Sequence, residues 1–302
     1  MIHDTVPHKS VLVDEVVKYL DPQAGETYLD VTFGAGGHTR AILEAQPGCS
    51  VIGMDWDTVS LETYGVPMAE EFGKRLSLAW GNFSLLYRVV KREHIKKVDG
   101  ILADFGTSQM QITGRPGFSF SRDTPLDMRM SPSHQQITAA HIIASATETE
   151  LSDIFFMYGE ERYSRKIARL IVQERKLKPI TTTAQLAALV TTAVSSKRGR
   201  NHPATRVFQA LRIAVNKELE NITSFLAEAI RVLKPGGRLV CISFHSLEDR
   251  LVKQFFKDKE REGILEIITP KVVTASEQEL YRNPSSRSAC LRAAIILKSA
   301  LE

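Results

Sequence analysis

The stretch Tyr28-Leu-Asp-Val-Thr-Phe-Gly-Ala-Gly-Gly-His38 decides the fold. Tyr28 to Phe33 is short, apolar and partly β-branched, the composition of a buried strand. Gly34, Gly36 and Gly37 follow directly. Glycine permits positive φ and lets a ligand approach the backbone closely. Thr39-Arg-Ala-Ile-Leu-Glu44 then reads as the start of a helix. Strand, glycine turn and helix N-terminus together suit an anionic or nucleotide-type group, because free N–H groups and the helix dipole face it. Taken alone, the same loop reads equally as a tight turn. Its spacing is G-x-G-G rather than the dinucleotide G-x-G-x-x-G, and no Gly-Lys-Ser/Thr follows, so a P-loop is excluded.

The second strand narrows the ligand. Ser50-Val-Ile-Gly-Met-Asp55 is apolar and ends in an acid. Asp55 stands about twenty residues past the glycines, the spacing at which a carboxylate reaches ribose hydroxyls in a doubly wound fold. By itself it is also a solvated acid at a strand end. Loop and acid in register fit an unphosphorylated adenosine with an amino-acid tail as well as they fit a nicotinamide dinucleotide.

Composition sets the outer bounds. A chain of 302 residues, 43% hydrophobic and 25% charged, is an ordinary globular protein of one large or two smaller domains. No apolar run reaches membrane-spanning length, and Met1-Ile-His-Asp-Thr-Val has neither the basic nor the apolar region of a secretory signal. Cys49, Cys241 and Cys290 are far apart, matching neither a disulfide framework nor a zinc spacing. The expectation is a cytoplasmic protein with no membrane partner and no metal. Net charge is only +4, yet Arg175 to Lys217 carries nine Lys/Arg and no Asp or Glu. Such a field suits a nucleic acid, unless it is only a solvated basic face.

Apolar residues at 12, 13, 16, 17 and 20 predict a first helix, ended by Asp21-Pro22. After the Asp55 strand, a helix is expected over 58–73, a third strand over Arg75–Trp80, and a fourth over Val98–Asp104. Phe83 follows the third strand, where an aromatic can lie on an adenine. This alternation predicts βαβ units and a parallel sheet. It stops at Phe105. Phe105 to Met130 reads as a long, ordered loop. Three helices follow, with a capping box at Thr147-Glu-Thr-Glu150 and a cap at Thr183. The reading is a helical domain over 112–204, inserted after the fourth strand of an α/β domain made of 1–111 and 205–302. One long helix is expected from Thr205 to Leu233, stopped by Lys234-Pro-Gly-Gly237. A fifth strand, Arg238–Phe244, a helix from Glu248 and two closing strands, Ile264–Thr269 and Leu291–Lys298, complete the chain.

The glycine turn, the acids after strands two and four, Phe83, and Lys-Pro-Gly-Gly before strand five resemble a class I S-adenosylmethionine-dependent methyltransferase. The resemblance sharpens over six ordered blocks. These are His8-Lys-Ser-Val-Leu12, Asp30 to His38, Gly117-Phe-Ser-Phe-Ser-Arg-Asp-Thr-Pro-Leu-Asp-Met-Arg-Met130, Tyr158-Gly-Glu-Glu-Arg162, His202-Pro-Ala-Thr-Arg-Val-Phe-Gln-Ala-Leu-Arg212 and Ser243-Phe-His-Ser-Leu-Glu-Asp249. They are similar to the signature blocks of the small-subunit ribosomal RNA cytosine-N(4)-methyltransferase family, RsmH or MraW, over nearly the whole chain. The resemblance implies S-adenosylmethionine as cofactor. It implies as substrate a cytidine of 16S ribosomal RNA at the decoding centre; the expected partner is that RNA within the small ribosomal subunit, with naked RNA as the alternative, and the protein is expected to be a monomer or homodimer. It implies a cofactor site of Gly34, Gly36, Gly37, His38, Asp55, Phe83, Asp104 and Gln111. One block departs: Asp104-Phe-Gly-Thr-Ser-Gln109 stands where the family usually has Asp-Leu-Gly-Val-Ser-Ser.

The chemistry needs little beyond an in-line nucleophile, since the sulfonium methyl is already electrophilic. A cytosine amine is a poor nucleophile because its lone pair is conjugated into the ring. A carboxylate accepting its N–H bonds would localise that pair. Asp104 is the candidate catalytic residue by position, with cofactor binding as its equal alternative. The base must also leave its stack, and Phe105, Phe118 and Phe120 are candidates to receive it or ordinary core aromatics. His245, Ser246 and Asp249 are too close in sequence to form a hydrolase triad. Ser243, Phe244 and His245 are read instead as lining the target pocket. Lys197, Arg198, Arg200 and Arg206 are candidate phosphate contacts, as is Arg212, although the last two could pair with acids. An amino-methyltransferase acting on DNA is the rival enzyme, but the Asp/Asn-Pro-Pro-aromatic block such enzymes carry is absent. The rival from another class is an RNA-binding assembly factor with a relic cofactor site.

Overall fold

The computed structural model describes residues 9–105, 115–132, 135–194 and 202–297. The chain divides into two compact units, one made of Met1–Gly106 with Leu219–Glu302 and the other of Thr107–Glu218.

The first unit is built on an eight-stranded sheet in the order β3-β2-β1-β4-β5-β8-β6, with β7 pairing β8. Its strands are β1 (Thr27–Asp30), β2 (Ser50–Asp55), β3 (Leu76–Trp80), β4 (Val98–Asp104), β5 (Leu233–Ser243), β6 (Leu265–Ile267), β7 (Val273–Thr274) and β8 (Cys290–Ile296). β3, β2, β1, β4 and β5 run parallel, and β8 adds antiparallel to β5 and to β6. This is the α/β, Rossmann-like, mostly parallel sheet that the sequence pattern implies, and the helical unit enters the chain after β4. Helices α1 (Val13–Leu20), α2 (Gly37–Ala45), α3 (Val66–Phe72) and α4 (Leu86–Arg92) belong to this unit, as do α10 (Glu218–Val232, from Leu219), α11 (Ser246–Arg261) and α12 (Glu277–Arg282). The segment before α3 is broken into a short turn, Thr58–Ser60, and a π turn, Leu61–Gly65.

Alternation along the strands explains two cores rather than one. Leu29, Ile101, Leu239 and Cys241 join the core that holds Phe225, Leu226 and Phe256. Tyr28, Leu102, Val240 and Ile242 join the other, with Val16, Leu20 and Ile42. A parallel sheet buried on both faces needs continuous apolar runs, and successive residues serve opposite faces.

The second unit is helical: α5 (Ala139–Ser145), α6 (Glu148–Gly159), α7 (Ser164–Leu177), α8 (Thr183–Ala193) and α9 (Thr205–Asn216). Leu151, Phe155, Ile167, Ile171, Leu186, Val190 and Leu211 form its core. The capping box at Thr147 is present, with Glu150 N–H donating to Thr147 Oγ1 and Thr147 N–H to Glu150 Oε2. The cap of α8 is Thr182, not Thr183: its hydroxyl accepts from Gln185 N–H, while Thr183 is the first helical residue. The end of the Gly117–Met130 block is tied down locally. Arg129 grips Asp127 through Nε at 2.7 Å and Nη2 at 2.8 Å, and Asn216 Nδ2 donates to the Met128 carbonyl at 2.8 Å.

Three expectations are corrected here. The single helix over 205–233 is two, α9 and α10, because Lys217 adopts a left-handed φ of 51°. The apolar stripe runs on through the break, but residues 208, 211 and 215 feed the helical core and 222, 226 and 230 the sheet core. The boundary expected at 204/205 therefore falls at 218/219, and the one expected at 111/112 falls at 106/107. Lys234-Pro-Gly-Gly237 does not precede β5 but lies inside it, with a register irregularity against β4 between Val98 and Gly100. Among the described residues no helix is long and apolar enough to cross a membrane.

Candidate functional site

β1 lies between β2 and β4. After β1 the chain winds one way to β2 and β3, then returns to the other side as β4. That reversal opens a crevice at the carboxyl ends of the strands, the usual ligand position in such sheets. Three acids end there: Asp30, Asp55 and Asp104.

Asp30 is fully buried and holds the turn together. Its Oδ2 accepts from Thr39 Oγ1 at 2.8 Å and its Oδ1 from Thr32 N–H at 3.1 Å. Thr32 Oγ1 in turn accepts from Asp104 N–H at 2.7 Å, linking the ends of β1 and β4. Burial pushes the Asp30 carboxyl above the usual range. His38 and the bonds from Thr39 and Thr32 oppose that push, and Asp104 adds to it.

The loop glycines have different reasons. A Cβ on Gly36, at φ +78°, would lie 2.5 Å from Met68 Cε and 2.7 Å from the Phe33 ring. One on Gly37 would lie 2.3 Å from Ser10 Oγ. A side chain at Gly36 would need Met68 and Phe33 to shift, and one at Gly37 would need Ser10 to shift. Gly34, at φ +56°, meets only the Thr32 carbonyl at 3.8 Å, so it is the glycine with open space beside it.

Gly34 N–H donates to Asp55 Oδ2 at 2.8 Å, and Asp57 N–H to Asp55 Oδ1 at 2.9 Å. Each carboxylate oxygen keeps a lone pair for a further donor. Desolvation nonetheless pushes Asp55 up to about 6. In the first turn of α2, His38 Nε2 lies 2.8 Å from the Val11 carbonyl, and His38 Nδ1 lies 3.9 Å from Asp104 Oδ2 at the end of β4. A carbonyl only accepts, so Nε2 carries the hydrogen and Nδ1 faces the acid. The Asp104 side chain keeps 18% of its surface exposed.

Phe83 is half-buried in an aromatic trio, with ring centroids 5.9 Å from Phe105 and 5.7 Å from Phe225. At the end of β5, Ser243 is buried and its hydroxyl donates to the Cys290 carbonyl at 3.2 Å. Phe244 N–H donates to Glu248 Oε2 at 2.7 Å, and His245 caps α11 by accepting from Glu248 N–H. In the helical unit, Arg206 is exposed and donates to the Glu160 carbonyl at 3.1 Å. Arg212 is engaged by Glu218 through two bonds, at 2.9 and 2.8 Å, so its charge is spent within that unit. Phe120 packs on His202 and Phe208. Gln111, Lys197, Arg198 and Arg200 lie outside the described residues.

The structure thus gathers Gly34, Gly36, Gly37, His38, Asp55 and Asp104 at one end of the sheet. Sequence reasoning passed over Asp30, Thr32, Thr39 and Ser10 as site residues. Asp30 carried the same signal as Asp55 and Asp104, an acid closing an apolar strand. Ser10 stood in the His8–Leu12 block, but its role depends on the chain passing over Gly37.

The model of the MraW methylase family matches residues 5–297. The chain belongs to this family. Among the relatives of this methylase is a protein of Bradyrhizobium diazoefficiens, 46% identical over 96% of this chain and 92% of that protein. Another, from Syntrophotalea carbinolica, is 46% identical over 97% and 99%. Both are named ribosomal RNA small subunit methyltransferase H. An rRNA methylase from Streptococcus thermophilus aligns over 95% of this chain and 94% of its own, at 9% identity and a TM-score of 0.41. The methyl donor of this methylase is S-adenosylmethionine. The residues present fit it: Asp55 has acceptor capacity left for a ribose diol, Gly34 leaves room beside the backbone, and Asp104 offers negative charge toward a cationic ligand.

Proposed function

We propose that this methylase modifies the exocyclic N(4) amine of a cytidine in 16S ribosomal RNA near the decoding centre, within the small ribosomal subunit. The name shared by relatives at 46% identity supports small-subunit ribosomal RNA as the substrate. The six signature blocks support the cytosine amine and its place in the RNA. The observation that carries the chemistry is Asp104: a partly exposed carboxylate at the carboxyl end of β4, its backbone fixed by Thr32 and its side chain facing His38.

The bound donor supplies an electrophilic methyl on a sulfonium. Asp55 and Gly34 hold the ribose side of that donor, and Gly36, Gly37 and His38 form the turn beside its methionyl end. Asp104 accepts an N–H bond from the cytosine amine. This orients the amine and draws its lone pair out of ring conjugation, and positioning of this kind is the largest contribution the chain can make. Once the amine becomes cationic, the same carboxylate stabilises it electrostatically, and loss of its surplus proton to solvent leaves the neutral N(4)-methylated base. The target base is unstacked before it reaches the site. Lys197, Arg198, Arg200 and Arg206 contact phosphates and give affinity that falls with salt.

The test is methyl transfer from labelled S-adenosylmethionine to small ribosomal subunits lacking the modification, with the RNA digested to nucleosides. Labelled N(4)-methylcytidine is the expected product. Transfer to another nucleoside would overturn the amine assignment. Donor binding without any transfer would favour the assembly-factor reading.

A further inference from the structure

The segment Lys9-Ser-Val-Leu12 crosses the glycine loop, and its backbone is held from two sides by side chains. On the loop side, Ser10 Oγ occupies the space a Cβ on Gly37 would need, and His38 Nε2 donates to the Val11 carbonyl. On the other side stand α12 and the residue that ends it. Leu12 N–H donates to Glu279 Oε1 at 2.6 Å. Asn283 Nδ2 donates to the carbonyls of Lys9 at 3.2 Å and Ser10 at 3.3 Å.

These bonds are needed. Leu12 is the N-cap of α1 with φ 53°, a left-handed conformation that is costly for a leucine. Its side chain cannot cap, and an N–H at a helix start has no partner within the helix. Glu279 supplies that partner, and its charge suits a helix N-terminus. Asn283 is buried and aimed. The hydroxyl of buried Ser286 donates to the Asn283 carbonyl at 2.7 Å, fixing the residue while its amide reaches across. The carbonyls of Lys9, Ser10 and Val11 and the N–H of Leu12 are thus all bound to side chains from outside the segment.

We propose that Glu279 and Asn283 are positioning residues for methyl transfer. They hold segment 9–12 down on the glycine loop, and through it set His38 and Gly37 for the cofactor. Neither residue touches donor or acceptor. Their effect is on cofactor affinity and not on the chemical step. The proposal rests on the glycine loop being the cofactor site.

The experiment is calorimetry with S-adenosylhomocysteine, together with methyl-transfer kinetics, on Glu279→Ala, Glu279→Gln, Asn283→Ala and Gly37→Ala. Glu279→Ala and Asn283→Ala should weaken binding about fivefold or more and raise KM for the donor equally, with kcat at saturating donor within about twofold of wild type. Glu279→Gln keeps an acceptor oxygen for Leu12 N–H and should restore most of the affinity. Folded Glu279→Ala and Asn283→Ala proteins with wild-type affinity, beside a Gly37→Ala protein that has lost it, would overturn the clasp alone. A Gly37→Ala protein with wild-type affinity would overturn the loop assignment beneath it. A measurement without variants guards against misfolding. Coupling is reciprocal, so S-adenosylhomocysteine should slow hydrogen exchange at Leu12 N–H in the wild-type protein. Unchanged exchange there under saturating ligand would also overturn the proposal.

Discussion

The two units treat their carboxylates differently. In the helical unit, Asp127 and Glu218 meet arginines. The bonds from Arg129 hold the Asp127 carboxyl below the usual carboxylate range, and Arg212 grips Glu218. At the crevice of the sheet, Asp30 and Asp55 are held by backbone N–H and hydroxyl groups, and burial pushes both upward. An acid matched to an arginine is finished as a structural element. An acid buried against neutral donors keeps acceptor capacity and a displaced titration, the marks of a group set aside for a ligand.

The comparison breaks first at Asp104, where the largest effect is expected. Asp104→Asn should lower kcat about a hundredfold or more while the fold survives and donor affinity changes only a fewfold. Single-turnover transfer with pre-bound donor measures this, and near-normal turnover would reduce Asp104 to a cofactor contact. Next comes charge on the helical side of the chain. Reversing Lys197, Arg198 and Arg200 together should weaken RNA binding more than tenfold at moderate salt and flatten its salt dependence, since each phosphate contact adds roughly one unit to that slope. An unchanged slope would make the run a solvated face.

The crevice itself is sharpened by pH. The free Asp55 carboxyl titrates at about 6. Its carboxylate form accepts from the ribose hydroxyls, so donor binding should be level above pH 7 and weaken by roughly tenfold at pH 5. In the free protein the sign is opposite. With its pKa raised on folding, Asp55 favours stability at low pH, and that contribution is lost as pH rises through about 6. A donor affinity independent of pH between 5 and 7 would remove Asp55 from the ribose contact. The smallest effect belongs to the paired acids. Arg212→Ala leaves buried Glu218 without that partner and should cost about 1–3 kcal/mol. Calorimetric unfolding would read this as a lowered Tm, with the salt dependence of RNA binding unaltered.

Much of the crevice was legible because its chemistry is local. Asp30, Asp55 and Asp104 each close an apolar strand, and the parallel run of the strands follows from alternation with helices. The departures lie where one pattern served two ends. The apolar stripe from 208 to 230 keeps helical period through Lys217, and nothing in the period marks where one core hands over to the other. Lys234-Pro-Gly-Gly237 looked like a helix stop and is strand. Thr182 and Thr183 were indistinguishable as caps until the backbone placed the first turn. Arg212 lay in a basic run because Glu218 stands just beyond its end.

The sequence by itself determined the sheet, the helical insertion after β4 and the acids that end the strands. Burial pattern and strand chemistry are written residue by residue, and neighbours in sequence are enough to read them. Only the tertiary structure decided why the glycines are glycines and what holds the loop beside them. Gly36 gives way to Met68 and Phe33, and Gly37 to Ser10. The segment bearing Ser10 is fastened by Glu279 and Asn283, more than 260 positions away along the chain. Contacts between residues so far apart leave no period or spacing to read, because they exist only once the two ends of the chain have met on the sheet.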